Sequence, residues 1–225
     1  PGLTNALTPM AQAFHDSRPM LVLAATTPTD ALGRRFGPLH DLDDQAAVAR
    51  TVCAFSETVL DPAELPMLIA RAWDVFLSAR PRPVHLAIPT DVLEQWVEPF
   101  VAAPSATSHP IASSESMAAA VSVLDAARHP MIVAGGGAID AGAVLAALAE
   151  RLDAPVVLTG NAKGVLPSTH PLCVGNALVH ECVQLALEAA DAVVVVGSEI
   201  SDADLYNGGR ALRFGRESAG SERNL

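Results

Sequence analysis

The residues with the clearest chemical use are glycines that follow apolar runs. Gly135-Gly136-Gly137 comes directly after the run MIVA and just before a helical stretch. At such a junction backbone N–H groups and the helix dipole converge, and bare Cα atoms let a phosphate approach closely. Thr159-Gly160 and Gly197 stand in the same way after later apolar runs. Gly135, Gly136, Gly137, Thr159, Gly160 and Gly197 therefore form a candidate nucleotide-binding set. The dinucleotide fingerprint is incomplete, however: counting from Gly135, its third glycine position holds Asp140. The second strand also runs into Thr159-Gly160, where a ribose-binding carboxylate would stand. A tight strand-to-helix turn that needs positive φ explains the same glycines, and both readings stay open.

The other reactive side chains read more quietly. Cys53, Cys173 and Cys182 are odd in number and lack metal-ligand spacing, which suits reduced thiols in a cytoplasmic protein. His170 and His180 have no Cys or His at zinc spacing, so no metal is assigned to this chain. Lys163, the only lysine, sits in an Asn-Ala-Lys-Gly turn and reads as solvated. His85 reads as a packed, hydrogen-bonded strand histidine. Trp73 and Trp96 read as anchors of a core or a domain interface.

The elements that must hold these residues alternate between helix and strand. In residues 4–17, Leu7, Met10, Ala11 and Phe14 recur at helical spacing. Residues 19–25 (PMLVLAA) form a continuous apolar run, as expected of a strand buried on both faces of a parallel sheet. A helical stretch around 45–50, an amphipathic helix over 65–77 and a strand over 83–88 (PVHLAI) follow. On the helix, Leu65, Leu68, Ile69, Ala72, Trp73 and Phe76 share one side. Residues 99–116 (PFVAAPSATSHPIASSES) have the composition of a linker. Beyond it the spacing predicts helix 117–127, strand 131–134, helix 141–152 with Val144, Leu145, Leu148 and Leu152 inward, strand 155–158, helix 181–189 and strand 192–196. Such alternation implies an α/β protein of two doubly wound parallel-sheet domains, residues 1–98 and 117–225.

Composition excludes several functions. Of the 225 residues half are hydrophobic, and 25 acidic residues against 14 Lys plus Arg give a net charge of −11. A chain with that balance has no counter-charge for nucleic acid or an anionic membrane surface. No apolar run approaches the ~20 residues of a membrane helix. The first residue is Pro1 and the opening reads like the middle of a motif, as expected of part of a longer protein.

Three strings, in order, resemble a known family. Pro1-Gly2-Leu3-Thr4-Asn5-Ala6 followed by AQAFHDSRPMLVLA resembles the GPG-x-TN…A-x-DS-x-P-x-L-x-I stretch of thiamine-diphosphate enzymes, the acetolactate synthase and 2-oxo-acid decarboxylase group. Residues 80–93 (RPRPVHLAIPTDVL) are similar to the signature that ends that group's pyrimidine-binding domain. Residues 130–175 resemble its central domain, Rossmann-like in fold, with the T-x₃-KG-x₂-P-x-xHPL-x-x-G string. The resemblance implies the later part of a pyrimidine-binding domain in 1–98 and much of a central domain in 117–225. It also implies that the family's catalytic glutamate stands upstream of the GPG string, and that its Gly-Asp-Gly…Asn motif for Mg²⁺ and diphosphate stands in a third domain.

What the resemblance implies for chemistry is thiamine diphosphate with Mg²⁺, a 2-oxo-acid substrate, and decarboxylation with or without carboligation in a homodimer or homotetramer. Pro1, Gly2 and Asn5 match positions that meet the aminopyrimidine, and Asn5 offers both a donor and an acceptor. An N-cap or turn role explains Asn5 equally well. His40, in Leu39-His40-Asp41-Leu42-Asp43, aligns with a glutamine that faces substrate in acetolactate synthases. A histidine there can hydrogen-bond the substrate or exchange a proton with it, which makes His40 the candidate catalytic residue; an exposed loop histidine is the alternative. LHDL-x-DQ together with RPRPVH looks like 5-guanidino-2-oxopentanoate decarboxylases, and Asp41, Asp43 and Asp44 would suit a guanidinium. The synthases also carry FAD on the central domain. Here Glu199 takes the place of an arginine after the AVVVV run, and its carboxylate would repel a diphosphate, which argues against FAD. The reading from another class is a non-catalytic α/β module that binds FAD, NAD or coenzyme A.

Overall fold

The apolar runs become parallel strands, but the run at 19–25, expected to be buried on both faces, is an edge strand with Leu23 57% exposed. In a computed structural model that describes residues 1–78, 80–102, 111–200, 206–207 and 210–211, the chain divides into two units, Pro1–Ile111 and Ala112–Leu225. In the first, helix α1 (Gly2–His15), strand β1 (Met20–Thr26), helix α2 (Gln45–Arg50), strand β2 (Phe55–Thr58), helix α3 (Leu65–Ser78), strand β3 (Pro83–Pro89) and the short helix α4 (Thr90–Leu93) follow in order. The three strands form a parallel sheet, β1-β3-β2. Every residue of β3 is buried, as its central place requires.

Each face of this sheet has its own helices. Leu68 and Ala72 of α3 pack with Phe55, Val84, Leu86 and Ile88. On the opposite face Leu3 and Met10 of α1 and Ala49 of α2 pack with Met20, Val22 and Ala24. The buried stripe of α1 therefore runs through Leu3, Met10 and Ala13, and the Ala11 expected inward is exposed. On α3, Trp73 stays 43% exposed while its ring meets Phe76 edge-on at 5.4 Å. Trp96 is 81% exposed, so it anchors no core within its unit.

The second unit repeats the pattern with a different order. Helix α5 (Ser114–Ala126), strand β4 (Pro130–Ala134), helix α6 (Gly142–Leu152), strand β5 (Val156–Leu158), strand β6 (Cys173–Gly175), helix α7 (Glu181–Ala189) and strand β7 (Ala192–Val196) give a parallel sheet, β6-β5-β4-β7. Strands β8 (Tyr206–Asn207) and β9 (Arg210–Ala211) pair with each other antiparallel. Alternation along β4 and β5 sends Ile132, Ala134, Val156 and Leu158 to α6, through Leu145 and Ala149. It sends Met131, Val133 and Val157 to α7, through Val183 and Leu187. A sheet covered by helices on both faces is the doubly wound arrangement. Val144, expected inward on α6, is 74% exposed; Leu145 and Ala149 carry the inner stripe, with Leu148 and Leu152 packed beside them.

Helix α5 begins at Ser114, three residues inside the stretch read as linker, where the Ser113 hydroxyl accepts the Ser116 N–H at 3.1 Å. None of its residues is buried. Among the described residues, no helix is long and apolar enough to cross a membrane.

Candidate functional site

Parallel strands gather their ligands at the carboxyl edge, where loops diverge. In the first unit that edge holds a cavity of about 630 Å³, within the usual range for small-molecule sites. One wall is the start of α1, with Pro1, Gly2, Leu3 and Ala6; another is the end of β1 with the Thr26-Thr27-Pro28 that follows. Pro38, Leu39 and His40 come from the next loop, Gln45 from the start of α2, and Thr90 from the end of β3.

Specific bonds fix this rim. The Gln45 side chain donates Nε2–H to the Ala25 carbonyl at 3.0 Å, tying α2 to β1. The Thr29 amide and hydroxyl both donate to the Asp91 carboxylate, at 3.0 and 2.5 Å, tying the loop after β1 to α4. Those bonds, the hydroxyl's first, hold the Asp91 carboxyl below its ordinary pKa. Asp44 caps α2 by accepting the Ala47 N–H at 2.8 Å.

His40 sits on the rim in an unusual backbone state. The Asp41 N–H donates to the Pro38 carbonyl at 3.2 Å, closing a turn with His40 at its third position, where φ is +65°. That position belongs by preference to glycine or asparagine. A histidine there costs about 1 kcal/mol or more, and such strain gathers at functional sites.

The structure thus brings Pro1, Gly2 and His40 to one cavity. Asn5 is not among the lining residues; it is exposed in the first turn of α1, where its N–H donates to the Pro1 carbonyl at 3.0 Å. Pro1, not Asn5, is the helix N-cap. Among the described residues that line the cavity there is no Asp, Glu, Lys or Arg. Asp43 pairs with Arg35 and is pulled below its ordinary pKa chiefly by that hydrogen bond, while Asp44 is spent on its cap. Thr27 also lines the cavity, and sequence reasoning passed over it. The available signal was its place beside Pro28, just past an apolar strand of a parallel sheet.

His85 is fully buried in β3 beside Ser56 of β2, with His85 Nδ1 2.8 Å from Ser56 Oγ. The single Ser56 proton goes to the Ala46 carbonyl at 2.8 Å, so Nδ1 carries the imidazole proton and donates it to Oγ. Its Nε2 has no partner. Burial lowers its pKa to about 4, so the ring is neutral at pH 7. Burial likewise raises the Cys53 thiol to about 11, which leaves it unreactive.

The glycines of the second unit meet at the carboxyl edges of β4 and β7. The Gly135 N–H donates to the Val196 carbonyl at 2.8 Å and the Gly137 N–H to the Gly197 carbonyl at 2.9 Å. A Cβ on Gly135 would stand 2.2 Å from the Gly197 oxygen, and one on Gly197, whose φ is +62°, 2.4 Å from the Ala138 nitrogen. Two of the three glycine amides are thereby occupied, and the loops need glycine for close backbone approach. Thr159 is buried, with its N–H on the Ala134 carbonyl at 2.9 Å; Gly160 is exposed with open space around it. Lys163 and His180 are exposed, and His170 Nε2 lies 3.2 Å from Glu150. Among the described residues no group of three or more His, Cys, Asp and Glu could hold a metal ion.

Comparison with known proteins gives matches at both ends of the chain. Residues 1–48 match the N-terminal TPP binding domain of thiamine pyrophosphate enzymes, and residues 117–217 match the central domain of thiamine pyrophosphate enzymes. The probable 2-ketoarginine decarboxylase AruI of Pseudomonas aeruginosa is 44% identical over 214 residues, covering 92% of this chain and 37% of that protein. The acetolactate synthase isozyme 1 large subunit of Escherichia coli is 31% identical over 208 residues, covering 90% and 36%. The acetolactate synthase large subunit of Parasynechococcus marenigrum is 34% identical over 212 residues, covering 90% and 34%. The chain spans little more than a third of the length of these curated relatives.

Proposed function

This chain belongs to the thiamine pyrophosphate enzyme family, and on that premise we propose that it is part of an enzyme that decarboxylates a 2-oxo acid, with or without carboligation, using thiamine diphosphate and Mg²⁺. The observation that carries the reading is His40 held at φ +65° on the rim of the cavity, across which lie Pro1 and Gly2. A costly backbone state that displays a proton-exchanging side chain over an apolar pocket is the pattern of a working site.

The cavity wall suits one end of the cofactor. Val22, Leu23, Ala24 and Leu39 offer apolar contact to a flat heteroaromatic ring, and backbone at Pro1 and Gly2 allows close approach at its edge. With no charged side chain in the lining, the same wall does not suit a diphosphate and its cation. Bound, thiamine diphosphate supplies a carbon nucleophile that also takes up the electron pair released with carbon dioxide. The chain's own part is to enclose the reacting end in an apolar pocket, and to hold at His40 a proton that moves to or from the substrate. The matching 2-ketoarginine decarboxylase makes 5-guanidino-2-oxopentanoate the first substrate to try. Assembly as a homodimer or homotetramer belongs to the same proposal.

The test uses the complete enzyme that carries this segment. Carbon dioxide release from 5-guanidino-2-oxopentanoate or pyruvate that requires both thiamine diphosphate and Mg²⁺ is the expected result, and none from either substrate overturns the reading. In that enzyme His40→Ala lowers kcat/KM about 10²-fold. Unchanged turnover would return His40 to an ordinary loop residue.

A further inference from the structure

Three buried side-chain atoms have no hydrogen-bond partner among the described residues: Thr27 Oγ1, Asp41 Oδ1 and His85 Nε2. Such atoms are rare in folded proteins, and each calls for an explanation. His85 is sealed within a sheet and Asp41 is not part of the cavity wall, but Thr27, 6% exposed, is. We propose that Thr27 is a substrate-contacting residue, whose hydroxyl donates a hydrogen bond to the carboxylate of the 2-oxo acid. This rests on the function proposed above.

The case follows from which donors the cavity has to spare. Among the described lining residues there is no Arg or Lys, so the donors a carboxylate meets are the His40 imidazole, amides and hydroxyls. Gln45 has given one of its two amide N–H groups to Ala25. Thr90 is exposed and Thr26 half-buried, so water can serve both. The Thr27 hydroxyl is buried with no protein partner among the described residues, so a ligand acceptor would satisfy a donor that the described chain leaves unpaired. Its oxygen is buried and not on the open space, so the hydroxyl reaches a ligand through a change of χ1 rotamer. The backbone is held for this, because Pro28 confines the residue before it to extended geometry. A hydroxyl donating to an ionised oxygen makes one of the stronger neutral-donor bonds.

Thr27→Val keeps the shape and removes the hydroxyl. In the complete enzyme loaded with thiamine diphosphate and Mg²⁺, the expected result is a KM for the 2-oxo acid raised about tenfold, with kcat within about twofold. Thiamine diphosphate affinity stays the same and the thermal midpoint does not fall, since an unpaired polar atom has been removed. Thr27→Ser restores KM, and Thr27→Ala reproduces the rise should the valine variant fold poorly. An unchanged KM in Thr27→Val or Thr27→Ala, on a wild-type enzyme that turns over, overturns the role of Thr27 and leaves the proposed function standing. A wild type that neither binds thiamine diphosphate nor turns over a 2-oxo acid overturns both.

Discussion

The two units end their parallel strands in opposite ways. At the carboxyl edge of β1 and β3 the ties run through side chains, Gln45 to Ala25 and Thr29 to Asp91, and a cavity remains beside them. At the edge of β4 and β7 the loops close on each other, with Gly135 and Gly137 donating to Val196 and Gly197. The glycine-rich edge has used its backbone donors internally, and the edge whose lining holds a single glycine is the open one. Glycine after a strand therefore marks close backbone approach, and whether the approaching group is a ligand or the next loop depends on where the amides point.

That contrast can be attacked through each edge. The largest effect belongs to Gly135→Ala, where the new methyl meets backbone atoms of Gly197 and Ser198 within 2.6 Å. A loss of about 4 kcal/mol in the unfolding of the second unit is expected, because main chain rather than a flexible side chain must yield. A denaturant midpoint close to wild type would show that the loops do not depend on their contact.

Next in size is acid sensitivity confined to the first unit. His85 titrates near 4 in the folded chain against 6.5 in an open one, so the unfolded chain takes up its proton first as pH falls. The stability tied to the neutral ring is full above about pH 6.5 and is lost as pH drops toward 4, roughly 3 kcal/mol in all. Denaturant titrations at pH 7, 5.5 and 4.5, read by Trp73 and Trp96 fluorescence, check it. Equal acid loss in a variant with His85 replaced by a neutral side chain would assign the effect elsewhere.

The smallest expected change sharpens the comparison. Gly160→Ala has open space for its Cβ and no positive φ, so thermal stability should move by no more than about 0.5 kcal/mol. A large loss there would mean that the glycines of this edge share some need beyond crowding.

Apolar runs were legible in the sequence, and β1, β3, β4 and β7 stand within two residues of their expected limits; β3 and β4 are buried throughout, while β1 and β7 lie at sheet edges and leave Leu23 and Val195 exposed. Strands β2 (FSET) and β6 (CVG) were not, because four and three residues at a sheet edge carry no periodicity and owe their extension to a neighbour. The same difference runs through the site. Motif strings led to Pro1, Gly2, Asn5 and His40; Pro1, Gly2 and His40 line one cavity, while Asn5 lies outside its lining. Thr27 carries no motif. Its unpaired hydroxyl is a property of packing, visible only once the surrounding donors and acceptors are in place.

The contact between the loops after β4 and β7 also constrains how this protein can vary. Neither Gly135 nor Gly197 can acquire a side chain while the other stays where it is. Two stretches distant along the chain therefore form one mutational unit, and any lineage or design that enlarges one of them must retract the other in the same step.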